Sequence, residues 1–243
     1  MASIDPDLLL RAYSIGVFPM SDSRDADDVF WVEPRRRAII PLEGFRLSRS
    51  LRKTLRSGAF EVTADQAFPN VIRFCSEREE TWINLDIEEG FTRLHRMGHA
   101  HSVEVWHESA LVGGLYGVRL GAAFFGESMF SLRTDASKVA LAWLVARLKV
   151  GGFTLLDCQF MTEHLRSLGA VEITQKDYLA LLADALSSAV PRAAGEVAAG
   201  AEPDLGREEV PEFGALERLL SAAGAASPAA AGCIISQLLV QTS

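Results

Sequence analysis

The stretch LLDCQFMTEHLRSLGA, residues 155–170, decides the fold that this sequence predicts. The apolar run Phe153–Leu156 favours a buried strand over a helix, because glycines precede it and polar residues follow it. The strand delivers Asp157 and Gln159 at its carboxyl end, two residues apart and therefore on one face. Such strand ends, in sheets flanked by helices, are where ligands bind. A carboxylate beside a carboxamide can hold and polarise an amine nucleophile, or it can simply satisfy nearby backbone groups, and spacing alone favours the second interpretation.

The elements around this strand predict a mixed sheet with helices on its faces. A hairpin of two apolar strands (110–118 and 122–130) and an amphipathic helix (136–150) precede it. A helix (163–168), a strand (171–173) and a last helix (176–187) follow it. This order predicts an α+β fold that is similar to the GNAT-like acyltransferase architecture. The second hairpin strand carries Glu127 within a very apolar run, where a carboxylate needs a partner or a function.

The linker between hairpin and helix argues against coenzyme A as the acyl donor. Acetyl-CoA members of the GNAT-like class usually carry a glycine-rich loop there, whose backbone amides hold pyrophosphate. Here the linker is Ser131–Ser137, which contains no glycine. The sequence therefore predicts an acyl donor other than CoA.

Composition and pattern divide the chain into three parts: a small N-terminal α/β unit (1–47), the GNAT-like domain (48–190) and a low-complexity tail (191–243). In the first part, Trp31 ends a strand-like run and is interpreted as core, with base stacking as the alternative. The tail is rich in Ala, Gly, Pro, Ser and Glu, and we expect it to be flexible over 191–231, with a short helix near 213–220. Its apolar end, residues 234–240, is expected to dock on the body or on a partner.

A strongly basic stretch contrasts with the acidic chain around it. The net charge is −8, yet residues 35–56 contain eight cations and one acid. On a helix capped by Ser48, four of the cations would form one basic stripe at i, i+3, i+4 and i+7 spacing: Arg49, Arg52, Lys53 and Arg56. Such a stripe suits a phosphate backbone, and three consecutive arginines before it favour that function. The alternative is a solvated helix face paired with acids elsewhere.

The sequence does not indicate a membrane-spanning, secreted, disulfide-bonded or metal-binding protein. No apolar run approaches the ~18 residues of a membrane span, and we expect no secretion signal. Cys75, Cys158 and Cys233 are widely spaced and are expected to be free thiols in a reducing cytoplasm. His99 and His101 share a strand face without a third ligand nearby, so structural histidines are expected and no metal site.

Eight motifs in one order carry a resemblance over residues 8–186. They are AYSIGVFP (12–19), SRS (48–50), REETWI (78–83), GHAHSVEVW (98–106), LVGGLYG (111–117), GESMFS (126–131), ASK (136–138) and DCQ (157–159). By these motifs together the chain resembles the leucyl/phenylalanyl-tRNA–protein transferases, although no single motif would be specific enough.

The resemblance implies a cytoplasmic enzyme that moves leucine, phenylalanine or methionine from its tRNA to the N-terminal Arg or Lys of an acceptor protein, for N-end-rule degradation. It implies aminoacyl-tRNA and such acceptors as partners, and neither membrane, metal nor cofactor. The reaction is attack of an α-amine on an activated ester. Because an α-amine has a pKa of about 7.7–8.0, orientation and a hydrogen-bonded proton acceptor can carry much of the catalysis.

The resemblance also implies the roles of individual residues in catalysis. Gln159 would contact the attacking amine, and Asp157 would polarise Gln159. Glu127 is suited to the cationic acceptor residue or to the amine.

Substrate binding is assigned in the same way. Trp82 and Trp31 match tryptophans near the 3′ adenosine, and Val32 stands where relatives have the second tryptophan of a pair. The basic stripe would bind the tRNA acceptor stem. The side chain of the transferred amino acid would enter an apolar pocket lined by Leu115, Phe124, Met129, Leu144 and Leu156.

Two other functions stay open from the sequence. A CoA-dependent N-acetyltransferase of the GNAT type would bind acetyl-CoA. A non-catalytic tRNA-binding module would bind tRNA regardless of aminoacylation and would not depend on the carboxylate of Asp157.

Overall fold

The computed structural model describes residues 4–78, 81–187 and 210–240. The helices are α1 (Pro6–Ser14), α2 (Arg49–Ser57), α3 (Phe68–Ser76), α4 (Leu85–Arg96), α5 (Ala136–Val150), α6 (Glu163–Ser167), α7 (Gln175–Ser187), α8 (Ala215–Ala222) and α9 (Pro228–Leu238), with a 3-10 turn at Leu42–Gly44. The strands are β1 (Phe18–Met20), β2 (Phe30–Val32), β3 (Arg36–Ile39), β4 (Glu61–Ala64), β5 (Ala100–His107), β6 (Ala110–Leu120), β7 (Ala123–Ser131), β8 (Leu155–Gln159) and β9 (Val171–Thr174).

A mixed sheet of seven strands forms the centre of the fold. Its order is β4-β5-β6-β7-β8-β3-β9, and β1 and β2 form a separate pair. β7 and β8 are parallel, whereas the other pairs in the described residues are antiparallel. Parallel neighbours need a crossover connection, and α5 provides it. The predicted α+β fold, a GNAT-like mixed sheet flanked by helices, is confirmed.

Helices cover both faces of the sheet. On one face, every residue of α5 from 139 to 148 is buried, because α2, α8 and α9 pack against the side that the sheet leaves open. The sheet approaches α5 closely at Gly113, where a Cβ would lie 2.5 Å from the Cβ of Ala136. On the other face α1, α3, α4 and α7 contribute a second apolar cluster, which includes Tyr13, Phe91 and Tyr178.

The main sheet includes a strand from the N-terminal part of the chain. β3 lies between β8 and β9, with Ala38 opposite Gln159 and Ile39 opposite Asp157. Residues 36–39 precede the predicted division at residue 47, so the sheet continues across that division. β1 and β2 are the strands of the N-terminal part that lie outside it.

The end of the chain differs from the predicted flexible tail. Residues 210–240 contain α8 and α9, where a flexible segment to residue 231 and one short helix near 213–220 are expected. Phe213 is buried, and its ring stacks on those of His101 and Phe124. Arg147 of α5 donates hydrogen bonds to the Phe213 carbonyl and the Glu217 carboxylate. Glycine permits close helix packing here, because a Cβ on Gly232 of α9 would lie 1.8 Å from the Leu55 carbonyl oxygen of α2. The first part of the predicted tail, 191–209, lies outside the described residues.

None of the helices in the described ranges is both long and apolar enough to cross a bilayer.

Candidate active site

A cavity of about 440 Å³ opens beside the carboxyl end of β8. Its walls come from β6, β7, β8, α5 and the segment that follows β8. Seven residues selected from the sequence line it: Trp82, Leu115, Glu127, Met129, Leu144, Leu156 and Gln159. Aliphatic side chains provide an apolar surface, with one carboxylate and one carboxamide beside it. A small apolar group attached to a polar reacting centre suits such a cavity.

Gln159 is held at the cavity in a left-handed backbone conformation. Its φ is +61°, which costs a non-glycine residue about 1–3 kcal/mol. Two hydrogen bonds hold it: the backbone N–H donates to Oδ1 of Asp157 at 2.8 Å, and Nε2 donates to Oε1 of Glu127 at 2.9 Å. Strand alternation predicts that Asp157 and Gln159 share one face, but the positive φ of Gln159 interrupts that alternation. Gln159 consequently lines the cavity, and Asp157 does not.

Asp157 lies in a buried ion-pair network behind the cavity. Its side chain has no exposed surface. Nε of Arg37 donates to both carboxylate oxygens, at 2.9 and 3.0 Å, and a second guanidinium nitrogen reaches Oδ2 at 2.6 Å. The Tyr178 hydroxyl donates to Oδ2 at 2.9 Å. Asp157 therefore contacts Gln159 through the main-chain N–H of that residue.

Arg37 is a residue of this network that the sequence analysis did not single out. It is 1% exposed, lies 4.8 Å from the ring centre of Phe18 and 4.5 Å from that of Tyr178, and donates to the Gly16 carbonyl. Burial alone lowers the pKa of its guanidinium, but the hydrogen bonds and charge of Asp157 outweigh burial, so the pKa is raised. The only sequence signal was its place within a basic run that leads into a strand.

Glu127 is the carboxylate of the cavity, and it is 7% exposed. The β6/β7 register shifts there, so that Glu127 has no residue opposite it, and such a bulge re-aims a side chain. Burial raises its pKa to about 8, although Tyr13 and Gln159 pull it down. The Tyr13 hydroxyl approaches the carboxylate without the geometry of a full hydrogen bond, and Oε2 has no hydrogen-bond partner in the described residues. Glu127 can thus exchange a proton near neutral pH.

Two residues assigned to the site lie elsewhere. Phe124 is fully buried under Phe213 and does not line the cavity, so four of the five predicted pocket residues meet there. Trp31 of β2 is 39% exposed, which makes its interpretation as core wrong. It lies opposite Pro19 of β1. In the described residues β2 pairs only with the short strand β1, and the local sequence pattern gave no sign that Trp31 would be exposed.

The basic stripe forms as predicted on α2. Ser48 caps the helix by accepting a hydrogen bond from the Leu51 N–H at 3.2 Å. Leu51 and Leu55 face the core, while all four stripe cations are exposed: Arg49, Arg52, Lys53 and Arg56. None of the four has an ion-pair partner in the part of the chain that is described. This charge is available to an external anion.

His101 lies on β5, and Cys158 lies on β8 and lines the cavity. His101 bonds Asp65 through Nδ1 at 2.7 Å and stacks on Phe213. Within the described ranges, no three His, Cys, Asp or Glu side chains are grouped so that they could hold a metal ion. Cys75, Cys158 and Cys233 are free thiols.

A mixed sheet with an apolar cavity at the end of β8 and an acid–amide pair in the cavity wall suits an acyltransferase. Comparison with known proteins then gives the family. The family model for leucyl/phenylalanyl-tRNA protein transferase matches residues 39–183, and the model for the N-terminal domain of that transferase matches residues 2–35. The chain belongs to the leucyl/phenylalanyl-tRNA–protein transferase family, and it is an aminoacyltransferase.

Curated relatives agree with the family models. A leucyl/phenylalanyl-tRNA–protein transferase of Rhizorhabdus wittichii is 59% identical over 257 aligned positions, covering 100% of both chains. Another, of Zymomonas mobilis, is 61% identical over 189 positions, covering 76% of this chain and 70% of the relative. Among solved structures, FemX has a TM-score of 0.46 and 10% identity, covering 69% of this chain and 66% of FemX, and the two folds are only distantly alike.

Proposed function

We propose that this enzyme transfers leucine, phenylalanine or methionine from aminoacyl-tRNA to the N-terminal Arg or Lys of acceptor proteins. The reaction would take place in the cytoplasm, and its product would enter N-end-rule degradation. The observation that carries the proposal is the 2.9 Å hydrogen bond between Gln159 and Glu127 in the wall of an apolar cavity. In this proposal the two polar groups would lie beside the ester of the bound aminoacyl group.

The cavity would receive the side chain of the transferred amino acid. Leu115, Met129, Leu144 and Leu156 offer it an apolar surface, which favours apolar aliphatic or aromatic side chains over charged ones. Trp82 lines the same cavity and would contact the 3′ adenosine by stacking. Specificity would then follow from cavity shape.

Gln159 would orient the attacking amine. Its Nε2 is occupied by Glu127, which leaves Oε1 to accept a hydrogen bond from the amine. The amine nitrogen attacks the ester carbonyl, a carbon–nitrogen bond forms and the carbon–oxygen bond to the tRNA breaks. Glu127 accepts the proton that the amine loses, and the leaving 3′ oxygen finally takes it up. An activated ester needs no stronger catalyst than orientation and such a proton acceptor.

A transfer assay tests the proposal. Radiolabelled Leu-tRNA is incubated with the enzyme and an acceptor protein that begins with Arg, and the label is expected in the protein. A matched acceptor that begins with Asp is expected to remain unlabelled. Gln159→Ala should lower transfer by about 10²–10³-fold while tRNA affinity persists. If intact wild-type enzyme gives no label, the proposal is wrong.

The stripe would bind the acceptor stem of the tRNA. Replacing Arg49 and Lys53 by alanine is expected to weaken tRNA binding and to lower the slope of log K against log salt by about 2, one unit for each lost phosphate contact. Turnover at saturating tRNA should be unchanged. Fluorescence anisotropy over a salt series measures both quantities. The control replaces two exposed cations outside the stripe, Arg11 and Lys176, and equal effects in both variants would argue against a defined contact.

A further inference from the structure

The last helix of the chain is fixed against the basic helix. At Gly232 of α9, a Cβ would lie 1.8 Å from the Leu55 carbonyl oxygen of α2, so a larger residue cannot stand there. At the end of α2, Ala229 comes within 3.0 Å of the place where a Cβ of Gly58 would lie. Backbone contacts this close set the position of α9 relative to the stripe. α9 is therefore part of the surface that carries the cations.

Between the two helices lies a cleft of about 320 Å³, the α2–α9 cleft. Arg52 and Arg56 of α2 form one side. The other side is formed by Cys233, Ser236, Gln237 and Val240. α9 contains no charged residue over 228–238, and neither arginine has an ion-pair partner in the described residues. The cleft is consequently positive and contains no acid to balance it.

We propose that the α2–α9 cleft binds a phosphodiester group of the tRNA backbone, an inference that rests on the proposed function. Two guanidinium groups one helical turn apart repel each other unless an anion lies between them. Guanidinium donors match phosphate oxygens in pairs, and the exposed Gln237 amide adds a donor from the opposite side. The same helix face continues to Arg49 and Lys53, which favours a polyanion that follows the face over a single protein carboxylate.

The proposal gives α9 a function in substrate binding. The cations of α2 alone form an open stripe, whereas α9 turns two of them into one side of a cleft. A phosphate in that cleft would fix the register of the acceptor stem along α2. The placement of the 3′ end in the cavity would then depend on both helices.

Gln237 is the residue on which the test depends. Gln237→Glu places a carboxylate between the two arginines, and it is expected to raise the Kd for deacylated tRNA about tenfold and to lower the salt slope by about 1. Gln237→Arg should do the opposite, with tighter binding and a slope steeper by about 1. The control is Ala222→Glu, an equal charge change at an exposed position of α8. Thermal unfolding verifies that each variant is folded.

A short donor separates the cleft from the active site. Aminoacyl-adenosine lacks the acceptor stem, so Gln237→Glu should use it as fast as the wild type does. Equal tRNA affinity and salt slope in Gln237→Glu and wild type, with wild-type transfer intact, would overturn the cleft proposal alone. The cleft proposal would also be overturned if Gln237→Glu lost as much turnover with aminoacyl-adenosine as with aminoacyl-tRNA. If the wild type neither binds tRNA nor transfers from it, the proposed function fails, and the cleft proposal fails with it.

Discussion

Asp157→Asn is expected to lower the free energy of unfolding by about 3–5 kcal/mol, because it leaves the buried guanidinium of Arg37 without an anion. The side chains of this pair are 1% and 0% exposed, so water cannot solvate the guanidinium that the substitution leaves unpaired. Turnover of the folded fraction should also fall by about 10²-fold, since Gln159 loses the carboxylate that holds its backbone in place. Denaturant unfolding and transfer assays measure the two effects.

A neighbouring ion pair provides the matched control. Arg36 of β3 pairs with Glu172 of β9 at 2.8 Å, but their side chains are 60% and 41% exposed. Glu172→Gln should therefore change stability by less than about 1 kcal/mol. The double variant Arg37→Met with Asp157→Leu removes both buried charges and should regain much of the stability without regaining turnover. Wild-type stability of Asp157→Asn would contradict the structural role given to this pair.

Glu127→Gln is expected to lower turnover by about 10²–10⁴-fold at pH 8, the range for loss of a general base. Burial raises the pKa of Glu127 to about 8, so its ionised form accumulates as pH rises through neutrality. The acceptor amine also loses its proton near pH 8. The wild-type logarithm of kcat/KM should accordingly rise with a slope of about 2 below pH 7, and the variant with a slope of about 1.

Glu104→Gln supplies the control for loss of a buried carboxylate. Glu104 is fully buried in β5, accepts hydrogen bonds from Ser102, Thr63 and the Ala67 N–H, and does not line the cavity. When activity is corrected for the folded fraction, Glu104→Gln should retain the wild-type slope of log kcat/KM against pH. A slope of 2 that survives in Glu127→Gln would assign the proton acceptor to another group.

The same carboxylate makes stability depend on pH. The folded-state pKa of Glu127 is raised from 4.5 to about 8, so the folded state binds more protons than the unfolded state between these values. The contribution of Glu127 to the free energy of unfolding is therefore fully present below pH 4.5 and is lost as pH rises to 8. Between these values the free energy of unfolding falls by up to about 1.4 kcal/mol per pH unit. Tm should fall less from pH 5 to pH 8 in Glu127→Gln than in the wild type.

Local pattern predicted much of the site. The apolar run before Asp157 marked β8 and its carboxyl end, and strand alternation marked the hairpin. Helical spacing together with Ser48 marked α2 and its basic stripe. Motif resemblance named five pocket residues, and four of them line one cavity in the structure. The strand and helix signals depend on neighbours within about ten residues, where backbone geometry relates sequence spacing directly to position, whereas the resemblance depends on the order of motifs along the whole chain.

The sequence by itself determined the class of fold, the family and the residues that end β8, because periodicity and motif order are properties of the chain alone. Tertiary structure decided that Arg37, 120 residues from Asp157, anchors that carboxylate. It also decided that the Gln159 carboxamide donates a hydrogen bond to Glu127 while its main-chain N–H donates to Asp157. The packing of the alanine-rich end of the chain on α2 was decided in the same way. Such contacts join distant segments, and their geometry is set by the burial of charge and by the closeness of packing once the whole sheet has formed.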